Sequence, residues 1–414
     1  MDTSINNLSN NKPMQLDETQ LRAVEHAATN RFAIITGGAG TGKTTIIKAI
    51  YERLKASSGA PMMCAFAGKA AARLKEATGH EASTIHRMLG YNGAMFMLDS
   101  LRGRSVIVDE ASMVDSELMA AIVERKPDRL ILVGDEAQLP PVGKGQPFHD
   151  IIALCPDRVV KLTTCYRNSE AVFRAATAIR NGEQVSDFEE TPGERWRIVE
   201  TGDNEKTHAA ILKQVRAGFF DFTQDIILCP KNGDSGMAAT VEALNADIAQ
   251  IVLPREAHET FVVGDRVMNT KNNAEKDIWN GTTGSVDRVH QDGSIWIKLD
   301  EPIIDWVNTK AGDVSYKDLV MLTKTEAKSL KLAYAMTVHK SQGSQYRRVV
   351  VVCLARDSRA LLSRPLIYTA VTRTKEQCIV VGQKYAFRTG CERTTNKATV
   401  IQQLAFLAME GGAE

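Results

Sequence analysis

A chain of 414 residues, 43% hydrophobic and 24% charged, has the composition of an ordinary soluble globular protein and the length of about two to four domains. Its net charge of +1 excludes bulk basicity as the basis of nucleic-acid binding, which would have to rest on a local groove. No apolar run approaches the ~20 residues of a membrane span, the opening Met1–Ser4 segment is polar, and seven scattered cysteines form no Cys-x-x-Cys pair, so a reducing cytosol is expected.

Residues 1–15 are expected to form a disordered tail, and Leu21, Val24 and Ala28 predict a short amphipathic helix from Asp17 to Thr29. Strand and helix signals then alternate. Phe32–Ile35 reads as a buried strand, followed by a Gly-rich loop and a helix through about Leu54. Met62–Phe66 is a second strand and Lys69–Ala77 a second helix, with further strands at Ser105–Val108 and Arg129–Val133. Such alternation predicts an α/β fold with a parallel sheet and right-handed crossovers. A second alternating block begins near residue 155, with strands at Ile226–Cys229, Val349–Cys353 and Ile379–Val381 and no second phosphate loop. Two segments interrupt the pattern. Asn92-Gly93 predicts a small hairpin within 88–103, and Ile295, Ile297 and Leu299 alternating with Trp296 and Lys298 predict a small β-barrel within 256–326. A helix carrying Val400, Leu404 and Leu407 closes the chain.

The sequence Gly37-Gly38-Ala39-Gly40-Thr41-Gly42-Lys43-Thr44-Thr45 has the phosphate-loop pattern in its required place, after a strand and opening a helix. Its glycines let backbone N–H groups converge on phosphate oxygens at a helix N-terminus; Lys43 would reach the β- and γ-phosphates and Thr44 would ligate Mg²⁺. Asp109-Glu110 follows a strand, where Asp109 would complete the Mg²⁺ shell and Glu110 polarise the attacking water. Gln138, in the loop after the next strand, is placed to sense the γ-phosphate, although Leu139-Pro140-Pro141 could simply be a rigid turn. Hydrolysis also needs positive charge opposite the loop. Arg167 and Arg373 are candidates, though on spacing alone either reads as a surface ion pair.

Taken in order, GGAGTGKTT, AGKAA (67–71), STIHR (83–87), DEASMVD (109–115), GDEAQLPPV (134–142), YRN (166–168), GDRVMNTKNN (264–273), WNGTTGSV (279–286), AMTVHKSQGSQY (335–346) and YTAVTRTK (368–375) resemble a superfamily 1B DNA helicase of the RecD-like and Dda-like kind. The resemblance spans about residues 16 to 385. It implies two RecA-like P-loop NTPase lobes, 16–87 with 104–153 and 154–255 with 327–414. A strand-separating hairpin at 88–103 would be inserted in the first, and an SH3-like β-barrel at 256–326 in the second. It further implies ATP in the cleft with Mg²⁺, Arg167 and Arg373 as arginine fingers, Tyr166 stacked on adenine, and Gly343 at the nucleotide. Gln20 would read the adenine edge, against a rival reading in which Asp17 and Gln20 form a helix capping box. Along the DNA it nominates Lys69, Ser83, Thr84 and His86 in the first lobe and Thr337, His339, Lys340, Ser341 and Gln342 in the second. Relatives often carry Pro-Thr where this chain has Phe66-Ala67; Phe66 reads as core, with base stacking as the alternative. Phe96 or Met97 is expected at the hairpin tip as a duplex wedge, against inward packing.

The implied activity is ATP-dependent 5′→3′ translocation and unwinding by a monomer in bacterial or phage-infected cytosol, with polarity taken from the resemblance alone. Implied partners are single-stranded DNA, single/double-strand junctions, and single-strand-binding, replication or recombination proteins. An RNA-directed motor and a P-loop ATPase that remodels a protein–DNA complex stand as the alternatives.

Overall fold

Six segments between Phe32 and Leu162 pair into one parallel sheet in a computed structural model that describes residues 16–166, 170–183, 185, 195–233, 237–273, 275–304, 316–357 and 360–394. The strands are β1 (Phe32–Gly37), β2 (Met62–Ala65), β3 (Ala82–Thr84), β4 (Ser105–Asp109), β5 (Arg129–Gly134) and β6 (Val159–Leu162), in the order β3-β2-β4-β5-β1-β6. They alternate with α1 (Glu18–Thr29), α2 (Lys43–Ser58), α3 (Gly68–Thr78), α4 (Ile85–Met88), α5 (Ser116–Glu124) and α6 (Pro147–Leu154). Both faces are covered, which is why the strands read as continuous apolar runs. Ile34, Val106, Val108 and Leu132 fill one side, and Ile35, Ile107, Ile131 and Val133 the other. The expected boundary at 153 is corrected by β6, whose Val159 and Val160 pair with Ile34 and Ile35 and protect the free edge of β1.

The second lobe contains α7 (Glu170–Asn181), β7 (Trp196–Glu200), α8 (Asn204–Arg216), β8 (Ile226–Cys229) and α9 (Val241–Val252). A smaller unit follows, with β9 (Arg266–Asn269), β10 (Thr283–Val289), β11 (Ile295–Ile304), β12 (Tyr316–Leu322), α10 (Lys324–Ala327) and β13 (Leu330–Leu332). The chain then returns through β14 (Ala335–Thr337), β15 (Tyr346–Cys353), α11 (Arg364–Thr372), β16 (Thr374–Gly382) and α12 (Lys384–Glu392). The second parallel sheet has the order β14-β8-β15-β16-β7 and uses all three strands expected in this block.

The smaller unit is an antiparallel sheet, β12-β11-β10-β9-β13, with Ile295, Ile297 and Leu299 turned into its core beside Val267, Val286 and Val320. Its end lies beyond the expected residue 326, because β13 pairs with β9. The segment 88–103 forms no ladder strands. Asn92 Oδ1 accepts from Ala94 N and Met95 N to make a tight turn, closed by a single Tyr91–Phe96 bridge. The expected N-terminal tail and the helix around Val400–Leu407 lie outside the described residues.

Candidate nucleotide and nucleic-acid site

The strands β4, β5 and β1 are neighbours, so the loops leaving their carboxyl ends meet at one point. There the chain leaves β1 at Gly37 and enters α2 at Lys43. Gly40 and Gly42 both have φ of 81°, a left-handed backbone that side chains disfavour. A Cβ at Gly42 would lie 2.6 Å from Gln20 Nε2, and one at Gly37 would lie 2.6 Å from Thr41 Oγ1. The cradle is therefore sized for bare backbone. Thr41 Oγ1 donates to Gly38 O at 2.9 Å, while Lys43 Nζ donates to Gly37 O and Gly38 O at 2.9 and 3.0 Å. Ala39 lies on this loop, and Thr44 and Thr45 are half-buried on the first turn of α2.

Gln20 takes the rival role weighed for it. Its Oε1 accepts from Asp17 N at 3.1 Å, its own N donates to Asp17 Oδ1 at 2.7 Å, and its Nε2 donates to Thr41 O at 3.2 Å. Both ends of the amide are thus engaged, capping α1 and bracing the phosphate loop, rather than offered to a base. Tyr166 stands at the same rim, half exposed, with its N donating to Gly40 O and its hydroxyl to Asp17. It presents an open aromatic face beside the loop.

Asp109 ends β4, and Glu110 follows with φ of 49°, an uncommon conformation for a residue with a side chain. Such a conformation costs on the order of 1–2 kcal/mol, so the surrounding loop must hold Glu110 there. Burial, and then the adjacent Glu110 carboxylate, push the Asp109 carboxyl up to about 7, against the pull of Lys43 and Arg73. Glu110 Oε2 is buried without a hydrogen-bond partner. A crowded acidic pair with an orphaned oxygen near Lys43 fits a divalent cation, for which Asp109 and Thr44 would supply oxygen donors. Gln138 is buried after β5 and its Nε2 donates to Asp135 at 3.4 Å.

From the second lobe, Arg373 enters at the amino end of β16. Only 3% exposed, it is held by Thr369 O (3.1 Å), Ser344 O (3.4 Å) and Thr372 Oγ1 (3.3 Å). Burial lowers its pKa from the usual value, and the charges of Glu110 and Asp135 across the cleft oppose that shift. The reading of Arg373 as a surface ion pair is thereby excluded. Gly343 is placed differently from its expected nucleotide role: it packs on Ala70 of α3, and its carbonyl accepts from Arg73 at 2.6 Å. Arg167 lies outside the described residues. Sequence reading missed Arg180, whose guanidinium lies 3.4 Å from Glu136 and beside Gly38, because an arginine within a helix carries no motif signal.

The expected strand-binding residues gather between the lobes and the smaller sheet. Phe66, Lys69, His339, Lys340 and Gln342 line one cavity of about 210 Å³ with Asn280 and Gly281. Lys69, Ser83 and Thr84 line another of about 500 Å³ with Trp279 and Thr283. Lys69 Nζ donates to Thr283 Oγ1 at 3.2 Å, and the Trp279 ring lies against Gly68, where a Cβ would meet it at 2.8 Å. Thr337, half-buried, ends β14, and Phe66 packs against the first lobe's core as expected. Two residues, Ser341 and Phe96, depart from expectation. Ser341 is fully buried and its hydroxyl donates to Val338 O at 2.7 Å, leaving nothing for a phosphate. Thr84 Oγ1 caps α4 by accepting from Arg87 N, which leaves its O–H free to donate. Phe96 packs inward on His86, Tyr91 and Arg125, so the exposed tip side chains are Met95 and Met97. His86 is held in that aromatic group, and burial lowers its pKa.

Residues 15–198 match the family model of an AAA domain, and residues 332–381 that of a UvrD-like helicase C-terminal domain. The chain is 32% identical, over 93% of its length and 74% of the relative's, to the RecD subunit of the RecBCD enzyme of Mycolicibacterium smegmatis. The chain belongs to the RecD-like helicases. It is also 32% identical to the ATP-dependent RecD2 DNA helicase of Deinococcus radiodurans, covering 91% of this chain but only 50% of that one. The RecD-like chain thus spans half to three-quarters of these two curated relatives. Its fold is shared with Pif1 helicases. One structure, of two Pif1 helicases coordinating at forked duplex DNA, has a TM-score of 0.55 at 20% identity over 97% of this chain and 98% of that one. Bacteroides Pif1 bound to single-stranded DNA has a TM-score of 0.51 at 22% identity over 96% and 98%. Among the described residues no helix is long and apolar enough to cross a membrane.

Proposed function

We propose that this RecD-like chain is an ATP-dependent DNA helicase that moves 5′→3′ on single strands and opens the duplex ahead of it. The observation that carries the reading is the buried Arg373 of the second lobe facing Glu110 and Asp135 of the first, across a cleft with one phosphate loop. Such a site is complete only when the two lobes are together, so turnover and lobe movement are linked. Lys43 and the loop Gly37–Thr45 hold the triphosphate, Tyr166 stacks on the base, and Gln20 braces the loop. Thr44 and Asp109 would hold Mg²⁺, which would neutralise charge developing on the phosphoryl oxygens. Glu110 takes the proton of the attacking water, Gln138 orients that water, and Arg373, with Arg167, stabilises the transferring group.

The strand runs past Lys69, Ser83, His86, Thr337, His339, Lys340 and Gln342, contacted through its backbone without sequence preference. The five-stranded sheet serves as an SH3-like barrel over this path, and the turn at Asn92–Met95 as the separating pin. The chain works as a monomer in the cytoplasm, on junctions exposed in replication, recombination or repair, beside single-strand-binding proteins. Unwinding of partial duplexes with a 5′ or a 3′ tail tests the reading. Opening only of the 5′-tailed substrate, with ATPase raised by poly-dT, is expected; preference for the 3′ tail would overturn the polarity.

A further inference from the structure

Asp135, directly after β5, is completely buried. A buried carboxylate is tolerated only when its oxygens are satisfied. Within its own lobe Asp135 accepts from Ala137 N at 3.1 Å and Gln138 Nε2 at 3.4 Å. Its shortest bond comes from the other lobe: Tyr368 Oη, 2% exposed on α11, donates at 2.8 Å. Arg180 on α7 approaches the same carboxylate at 3.9 Å and Glu136 at 3.4 Å. Four residues on, Leu139 N donates to Thr369 Oγ1 at 2.8 Å, and Thr369 O in turn accepts from Arg373 Nε at 3.1 Å. Residues 135–139 and 368–373 are therefore fixed against each other at two points, each sensitive to displacements well under 1 Å.

The same donors adjoin the phosphate loop. A Cβ at Gly38 would lie 3.0 Å from Arg180 Nη1 and 3.1 Å from Tyr368 Oη, so glycine there is what lets them approach. A cavity of about 270 Å³ adjoins these contacts, lined by Gly38, Ala39 and Thr41 of the loop and by residues of α7 and α11.

We infer that Tyr368 and Arg180 are positioning residues of the ATPase site. From the second lobe they bind the Asp135 carboxylate of the first, and through it set the register in which Gln138 and Arg373 act on one phosphoryl group. The inference rests on the helicase reading for its substrate. It assigns neither residue a contact with the reacting atoms.

Tyr368→Phe and Arg180→Met test it. Steady-state ATPase with and without poly-dT gives kcat, and a fluorescent ATP analogue gives Kd. Each variant should lower poly-dT-stimulated kcat about tenfold while Kd changes less than about threefold, since the lost bonds orient groups that act in the transition state. Wild-type kcat in either variant, or a kcat loss matched by an equal loss of affinity, overturns the inference. Should Tyr368→Phe fail to fold, the part-exposed Arg180 keeps the test open through its own variant. A wild-type enzyme that poly-dT does not stimulate would sink the helicase reading instead. The positioning role is then judged on DNA-free turnover, where the same drop is expected.

Discussion

Arg373→Ala separates nucleotide binding from turnover. The guanidinium is enclosed, and two carbonyls and a hydroxyl hold it without help from solvent. It therefore enters the reaction already oriented, with little reorganisation left to oppose it. A unit charge about 4 Å from another, at an effective dielectric near 20, contributes about 4 kcal/mol. If that interaction develops in the transition state, its loss slows turnover about 10³-fold, the lower end of the range for arginine fingers. Ground-state binding rests on the loop of the other lobe, so Kd for a fluorescent ATP analogue should change less than about threefold. Rapid-quench single-turnover hydrolysis measures the chemical step directly, and a thermal melt on the same samples guards against loss of fold. A fall in turnover of less than about tenfold would refute the assignment. So would a matching rise in Kd, which would show that Arg373 binds ATP and its transition state equally.

Three further outcomes are expected. Met95→Ala and Met97→Ala, at the exposed tip, should reduce unwinding while sparing poly-dT-stimulated ATPase; Phe96→Ala, which empties a packed position, should lower the thermal midpoint, and tip variants that unwind normally would remove the turn from strand separation. Lys340→Ala should weaken single-strand binding and reduce the salt slope by about one, whereas Ser341→Ala should leave binding unchanged and cost stability of about 1 kcal/mol, read by filter binding across salt and by urea melts. Burial would raise the Glu326 carboxyl, but hydrogen bonds from Lys276, Thr323 and Asn273 outweigh it and bring it down to about 2. A carboxyl depressed on folding stabilises above its unfolded value near 4.5 and loses that contribution as pH falls toward 2. Urea melts should therefore show Glu326→Gln less stable at pH 6, with the difference mostly gone near pH 2, where half the wild-type carboxyls are protonated.

The chemistry of the first lobe was legible in the chain because it is local. A phosphate loop needs glycines at fixed offsets between a strand and a helix, and acidic residues after a short apolar strand mark its partner. Four of the six strands of the first sheet read as apolar runs, and three of the five in the second, β8, β15 and β16, were equally plain. The short β6 was assigned to the wrong lobe, since four residues carry no record of the edge they will join. The family resemblance supplied the arginine fingers and the strand-binding roles, and could not say which of those side chains the fold would leave free. Tertiary packing decided that Phe96 turns inward on Arg125, whereas Ser341 is spent locally on the carbonyl three residues before it. Gln20 braces the phosphate loop through a contact 21 residues away, and Asp135 meets Tyr368 across 233. Residue type and local period are written along one dimension. Which hydroxyl, amide or guanidinium remains free to act is settled only when distant segments close around it and each buried polar group takes the partner nearest to hand.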